Sequence, residues 1–141
     1  MTSEIDTFLC EAPSRLVGTP TARSFRHVLK SVVHTQALAV KLSQTQALGS
    51  VHRRLVLARL MLVLRRTQEL STLLENKKRR VKSDASDSLK AAETQLANVR
   101  RETVLLIMSE SSDLQLDVTE TEVLAMAHDW KPGWNHFPNR A

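Results

Sequence analysis

Apolar residues recur along this chain at alternating spacings of three and four. One seam reads Ala39, Leu42, Gln46, Gly49, Arg53, Val56, Leu60, Val63, Thr67, Leu70 and Leu74. A second and cleaner one reads Ala85, Leu89, Ala92, Leu96, Val99, Thr103 and Leu106. This period places side chains on one face of a helix, as in helices that coil against one another. No proline falls between Thr21 and Lys131, so nothing removes a backbone donor from a long helix there. The pattern predicts an all-α fold of long helices, forming a coiled coil or helical hairpin, with a short C-terminal helix and flexible termini.

The boundaries follow from breaks in that pattern. Residues 1–22 hold two prolines, Gly18 and little periodicity, and read as a flexible leader. Residues 23–110 read as the long helical region. Gly49 and Ser50 mark a kink, or the end of one helix and the start of another. The segment 77–88 lacks apolar spacing, then offers Ser83, Asp84, Ser86 and Asp87 as N-caps, and reads as a hinge. Ser109 to Asp117 is polar and acidic and reads as a loop. Thr119 and Glu122 form a capping-box pattern ahead of a short helix reaching about Asp129. The unit 111–141 is that helix followed by an aromatic tail.

Composition agrees with helices and adds a constraint on the core. Tyrosine is absent, aromatics make up 4%, and there are three Gly and four Pro in 141 residues. Narrow aliphatic seams need few aromatics, whereas strand-rich folds need turn residues and aromatic strands. Leu55 to Leu64 is apolar except for Arg59. At half the length of a membrane span, it reads as a helix buried by protein on most sides. The first residues include Glu4, Asp6 and Glu11, unlike a secretory signal. Cys10 is the single cysteine, which is compatible with a reducing compartment.

Charge splits the chain. Arg23 to Lys82 carries fourteen Lys or Arg against Glu69 and Glu75, while Asp84 to Asp129 carries ten acids against Lys90, Arg100 and Arg101. Such halves can pair within the chain or across a partner. A two-helix hairpin alone rarely offsets about 1–2 kcal/mol of conformational entropy per residue. The seams are therefore expected to meet further helices, with Leu60, Val63, Leu70, Leu74, Leu89, Leu96, Val99 and Leu106 lining a helical interface with partner subunits.

Two further features suggest contacts. Lys77, Lys78, Arg79, Arg80 and Lys82 form a basic cluster. It reads as an import signal, a solvated helix end or a contact for an acidic polymer. Trp130, Trp134 and Phe137 are three of the chain's five aromatics. They can anchor the tail in a partner's groove or fold back on the bundle. The arginine pairs 53–54, 65–66 and 100–101 do not share one stripe, which argues against a DNA-reading helix.

Chemistry-bearing patterns are lacking. His27 and His34 are seven apart rather than three or four, and His52, His128 and His136 lack a completing ligand set. No phosphate loop, nucleophile elbow or paired-carboxylate pattern occurs. The expectation is a non-enzyme without metal, cofactor, small-molecule substrate or membrane span. It would serve as a structural coiled-coil subunit in a hetero-oligomeric assembly of the nucleus, cytoplasm or cytoskeleton. Alternatives are a basic adaptor to a microtubule or nucleic acid, and a secretion or trafficking coiled coil.

Overall fold

A computed structural model describes residues 6–10, 16, 18–45, 49–80, 86–131, 133–134 and 137. Four helices of this bundle have full bounds: α1 Phe25–Thr45, α2 Ser50–Arg80, α3 Ser86–Asp113 and α4 Glu120–Asp129. Residues 6–10 are helical as well. Among the described residues there is no strand. The break expected near Gly49 is real: α1 ends at Thr45 and α2 begins at Ser50. The expected hinge 77–88 is helical at both ends, since α2 runs to Arg80 and α3 begins at Ser86, while 81–85, Lys82 included, lie outside the described residues.

α2 is the axis. It packs against α1, α3 and α4, while α3 also packs against α1 and α4. The apolar run explains this placement. Val56, Leu57, Ala58, Leu60, Met61, Leu62, Val63 and Leu64 are all buried. Eight buried positions within three turns leave no solvent face, and a helix apolar all round needs neighbours all round. The reading of this run as surrounded by protein is therefore met inside a single chain.

The interface residues named from the seams sit in the same core. Leu60, Val63, Leu70, Leu74, Leu96 and Val99 are buried, with Leu89 and Leu106 half-buried against them. α1 adds Val28, Leu29, Val32, Ala39 and Leu42. The leader contributes more than its pattern announces, since Phe8 and Leu16 are buried. α4 is fixed at its start by the expected capping box. The Thr119 hydroxyl accepts from the Glu122 N–H at 3.2 Å, and the Thr119 N–H donates to the Glu122 carboxylate at 3.3 Å. Val123 and Ala127 then face the core.

A further boundary needs correction. Ser109 to Asp117 is not all loop, because α3 continues to Asp113. Its seam continues as Ile107, Glu110 and Ser111, all buried, so the last turn buries polar residues and gives no apolar signal. The Ser111 hydroxyl donates to the Ile107 carbonyl at 2.6 Å. The helix ends in a Schellman arrangement. The Leu116 N–H reaches the Ser111 carbonyl and the Gln115 N–H the Ser112 carbonyl, both at 2.9 Å. Gln115 takes the left-handed position with φ 61°, a place where glycine is the usual signal.

Two substitutions test this packing. Leu60→Ala is expected to lower unfolding free energy by about 2–5 kcal/mol. Gln115→Gly should raise it by up to about 1 kcal/mol by relieving the left-handed strain. Urea denaturation read by circular dichroism checks both, and an unchanged midpoint for Leu60→Ala would contradict the assigned core.

Candidate interaction surface

The arginines of α2 divide into different tasks. Arg53 Nε donates to Glu110 Oε2 at 2.8 Å, and its Nη2 lies 3.8 Å from Asp113 Oδ2. Ser43 Oγ donates to the other Glu110 oxygen at 2.5 Å. Glu110 is 4% exposed, so one buried carboxylate ties α1, α2 and α3 together. Arg59 Nε donates to the Leu9 carbonyl at 3.3 Å, and Arg66 Nε to the Leu16 carbonyl at 2.7 Å. Both steps are seven residues, so Leu9 and Leu16 follow one another along α2 in its own direction. Burial lowers the Arg59 guanidinium pKa from its ordinary value, against an opposing pull from Cys10. Arg66 also pairs with Glu69.

The other flank holds α4. Arg65 donates to the His128 carbonyl, and Gln68 donates to the Leu124 carbonyl at 3.1 Å. A cation at carbonyls of the last turn complements the helix dipole. These residues scatter around α2 because each meets a different neighbour. Much of the basic charge in α2 is thus used inside the fold.

A group of further cations gathers at one end of the molecule. Lys77, Lys78, Arg79 and Arg80 end α2 and are exposed. Lys78 Nζ bonds Glu93 on α3 at 2.6 Å and lies 3.9 Å from Glu75. The Glu93 hydrogen bond raises the Lys78 ammonium pKa above its ordinary value, opposed by a smaller desolvation effect. Arg23 and Arg26, at the start of α1, share this end and are also exposed. Among the described residues, Arg23, Arg26 and Lys77 make no ion pair.

These three cations line a groove of about 1020 Å³ between the start of α1, the end of α2 and the start of α3. Its apolar lining includes Phe25, Leu29, Leu89 and Ala92, and its polar remainder is Ser88, Thr94, Gln95 and Asn98. Among the described residues, no carboxylate lines it. A smaller groove of about 290 Å³, between α3 and α4, mixes Arg100 and Arg101 with Glu120 beside the exposed Leu105. The larger groove was not legible as a site, although Arg23, Phe25, Arg26 and Leu29 have the spacing that puts basic and apolar residues side by side at a helix start.

The tail divides. Trp130 and Phe137 are buried, at 3% and 1% exposure, whereas Trp134 is 43% exposed. Trp134 meets Trp130 edge-on with centroids 5.4 Å apart, and Lys131 Nζ lies 5.8 Å from its ring centre. Two of the three expected anchors therefore cap this chain's own bundle. His27, His34, His52 and His128 are exposed. Among the described residues no group of His, Cys, Asp and Glu could hold a metal ion, and no helix is long and apolar enough to cross a membrane.

Compared with protein-family models, curated proteins and solved structures, the chain matches none. The functional reading rests on its own residues.

Glu110→Ala is expected to cost about 3 kcal/mol, because it leaves the Arg53 guanidinium without its buried partner. A double-mutant cycle with Arg53→Ala, followed by urea denaturation, should show strong coupling; additive losses would contradict the three-helix tie.

Proposed function

We propose that this chain is a non-catalytic helical subunit of a larger protein assembly, which folds its seams against itself and contacts partners through its surface. The observation that carries this reading is the groove at the basic end. It combines apolar lining from Phe25, Leu29, Leu89 and Ala92 with the cations Arg23, Arg26 and Lys77. A folded monomer has no structural need to leave unpaired cations around an apolar cleft, and rimmed apolar surface is typical of binding sites. The seam leucines support the partners indirectly, by holding α1, α2 and α3 in the positions that shape the cleft. Trp134 and Leu105, at 43% and 59% exposure, are additional apolar points for a second contact.

A second reading has its own support. Lys77, Lys78, Arg79 and Arg80 project from the same end as Arg23 and Arg26. That concentration suits a basic adaptor resting on an acidic polymer such as a microtubule or nucleic acid, and it also suits an exposed nuclear-import sequence. Polymer contact through charge alone would weaken steeply with salt, whereas contact through the apolar lining would resist it.

The test is the size of the chain's native particle. In an extract of its own cells, fractionated by size exclusion, the chain should elute well above its 15.9 kDa mass. It should remain there at high salt. Elution as a monomer would reject the subunit reading. A large particle lost at high salt and after neutralising Lys77, Lys78, Arg79 and Arg80 would favour the polymer adaptor.

A further inference from the structure

We infer that the groove at the basic end docks one amphipathic helix of a partner protein whose polar face is acidic. This deepens the subunit reading and rests on it.

The lining sets the chemistry of the occupant. Phe25 and Leu29 are one helical turn apart on α1, and Leu89 and Ala92 are one turn apart on α3. They face a common cleft beside the end of α2. A volume of about 1020 Å³ accommodates the anchors of a helix at i, i+3, i+4 and i+7, about four apolar side chains. An extended strand has no edge to join, since the described residues form no sheet.

Charge selects the sign of the polar face. Arg23, Arg26 and Lys77 surround the apolar lining, with no carboxylate among the described lining residues. Lys78 is different, because Glu93 already holds it at 2.6 Å. The cations left for a partner are thus those beside the cleft, and they favour carboxylates along its flanks.

The bundle already shows how it receives a short helix. α4, ten residues long, lies against α2 and α3, buries Val123 and Ala127, and is held by Arg65 and Gln68. Its first turn carries Glu120 and Glu122. The docked helix would meet α1 and α3 in a comparable way, with apolar residues seated in the cleft and basic side chains beside them. A nucleic acid would use the cations but not Phe25, Leu29 or Ala92.

The test uses the full chain and fluorescence anisotropy. The first probe is a labelled peptide of about 18 residues, five helical turns, with Leu at i, i+3, i+4 and i+7 and Glu on the remaining face. The second is a permuted peptide of identical composition, and the third an oligothymidylate of about 20 nucleotides. The amphipathic peptide should bind about tenfold more tightly than the permuted one. Ala92→Trp, which fills the cleft, and Arg26→Glu, which reverses an exposed charge, should each weaken it about tenfold. Circular dichroism verifies that both variants stay folded, and Arg26→Glu decides the matter if Ala92→Trp does not.

Equal binding of the two peptides overturns the proposal, as does no peptide binding. Preferred binding of oligothymidylate that is lost in Arg26→Glu and kept in Ala92→Trp also overturns it, and assigns the basic end to an acidic polymer. Self-association abolished by Ala92→Trp would place a second copy in the groove instead. Size exclusion of extracts separates the two levels. A large native particle that survives Arg26→Glu leaves the subunit reading standing and removes the groove, whereas a monomer removes both.

Discussion

Everything in this fold depends on one constraint: a helix apolar on every face has to be surrounded. Eight of the nine residues from Val56 to Leu64 are buried. A helix with one apolar stripe is satisfied by one neighbour, but this stretch needs protein on all sides. The chain meets the demand with α1 and α3 as long neighbours, α4 as a shorter one, and the leader alongside through Leu9 and Leu16. Trp130 and Phe137 add cover from the tail. The arginines interspersed with the apolar run are what allow this. Arg53, Arg59, Arg65 and Arg66 extend their guanidinium groups to carboxylates and backbone carbonyls of the neighbouring elements, so charge and burial coexist on one helix.

That arrangement changes what the charge split means. Fourteen cations in the first half against ten acids in the second suggest a basic strip available to solvent. In the fold, a good part of that strip is spent internally. The Arg53–Glu110–Ser43 contact joins three helices through one buried carboxylate, and Lys78–Glu93 bridges α2 and α3 near their connection. Among the cations without an ion pair in the described residues, Arg23, Arg26 and Lys77 lie where α1 starts and α2 ends, and they border an apolar cleft.

Much of the architecture was legible in the sequence because it rests on periodicity and caps. Leu60, Val63, Leu96 and Val99 lie on seams whose spacing announced burial, and the Thr119 to Glu122 pair announced α4 to the residue. The end of α3 was illegible for a physical reason. Its last buried positions are Glu110 and Ser111, whose partners Arg53 and Ser43 lie 57 and 67 residues away from Glu110. Gln115 occupies the left-handed site without the glycine that usually marks it. The leader was similarly quiet, since Phe8 and Leu16 carry no local period and gain meaning only beside α2. The cleft was hidden because it is shared by three helices. No single stretch displays Arg23, Lys77 and Ala92 as neighbours; only the packing of α1, α2 and α3 against one another brings them together.

α2 is enclosed by its own chain. Hydrogen exchange of the isolated protein at two concentrations tests it most directly, because amide protection reports which helix opens last. With α2 enclosed, amides from Leu57 to Leu70 exchange slowest of all, equally at both concentrations. Rapid exchange in that stretch, or protection that appears only at the higher concentration, would show that α2 is covered by other chains and would contradict it.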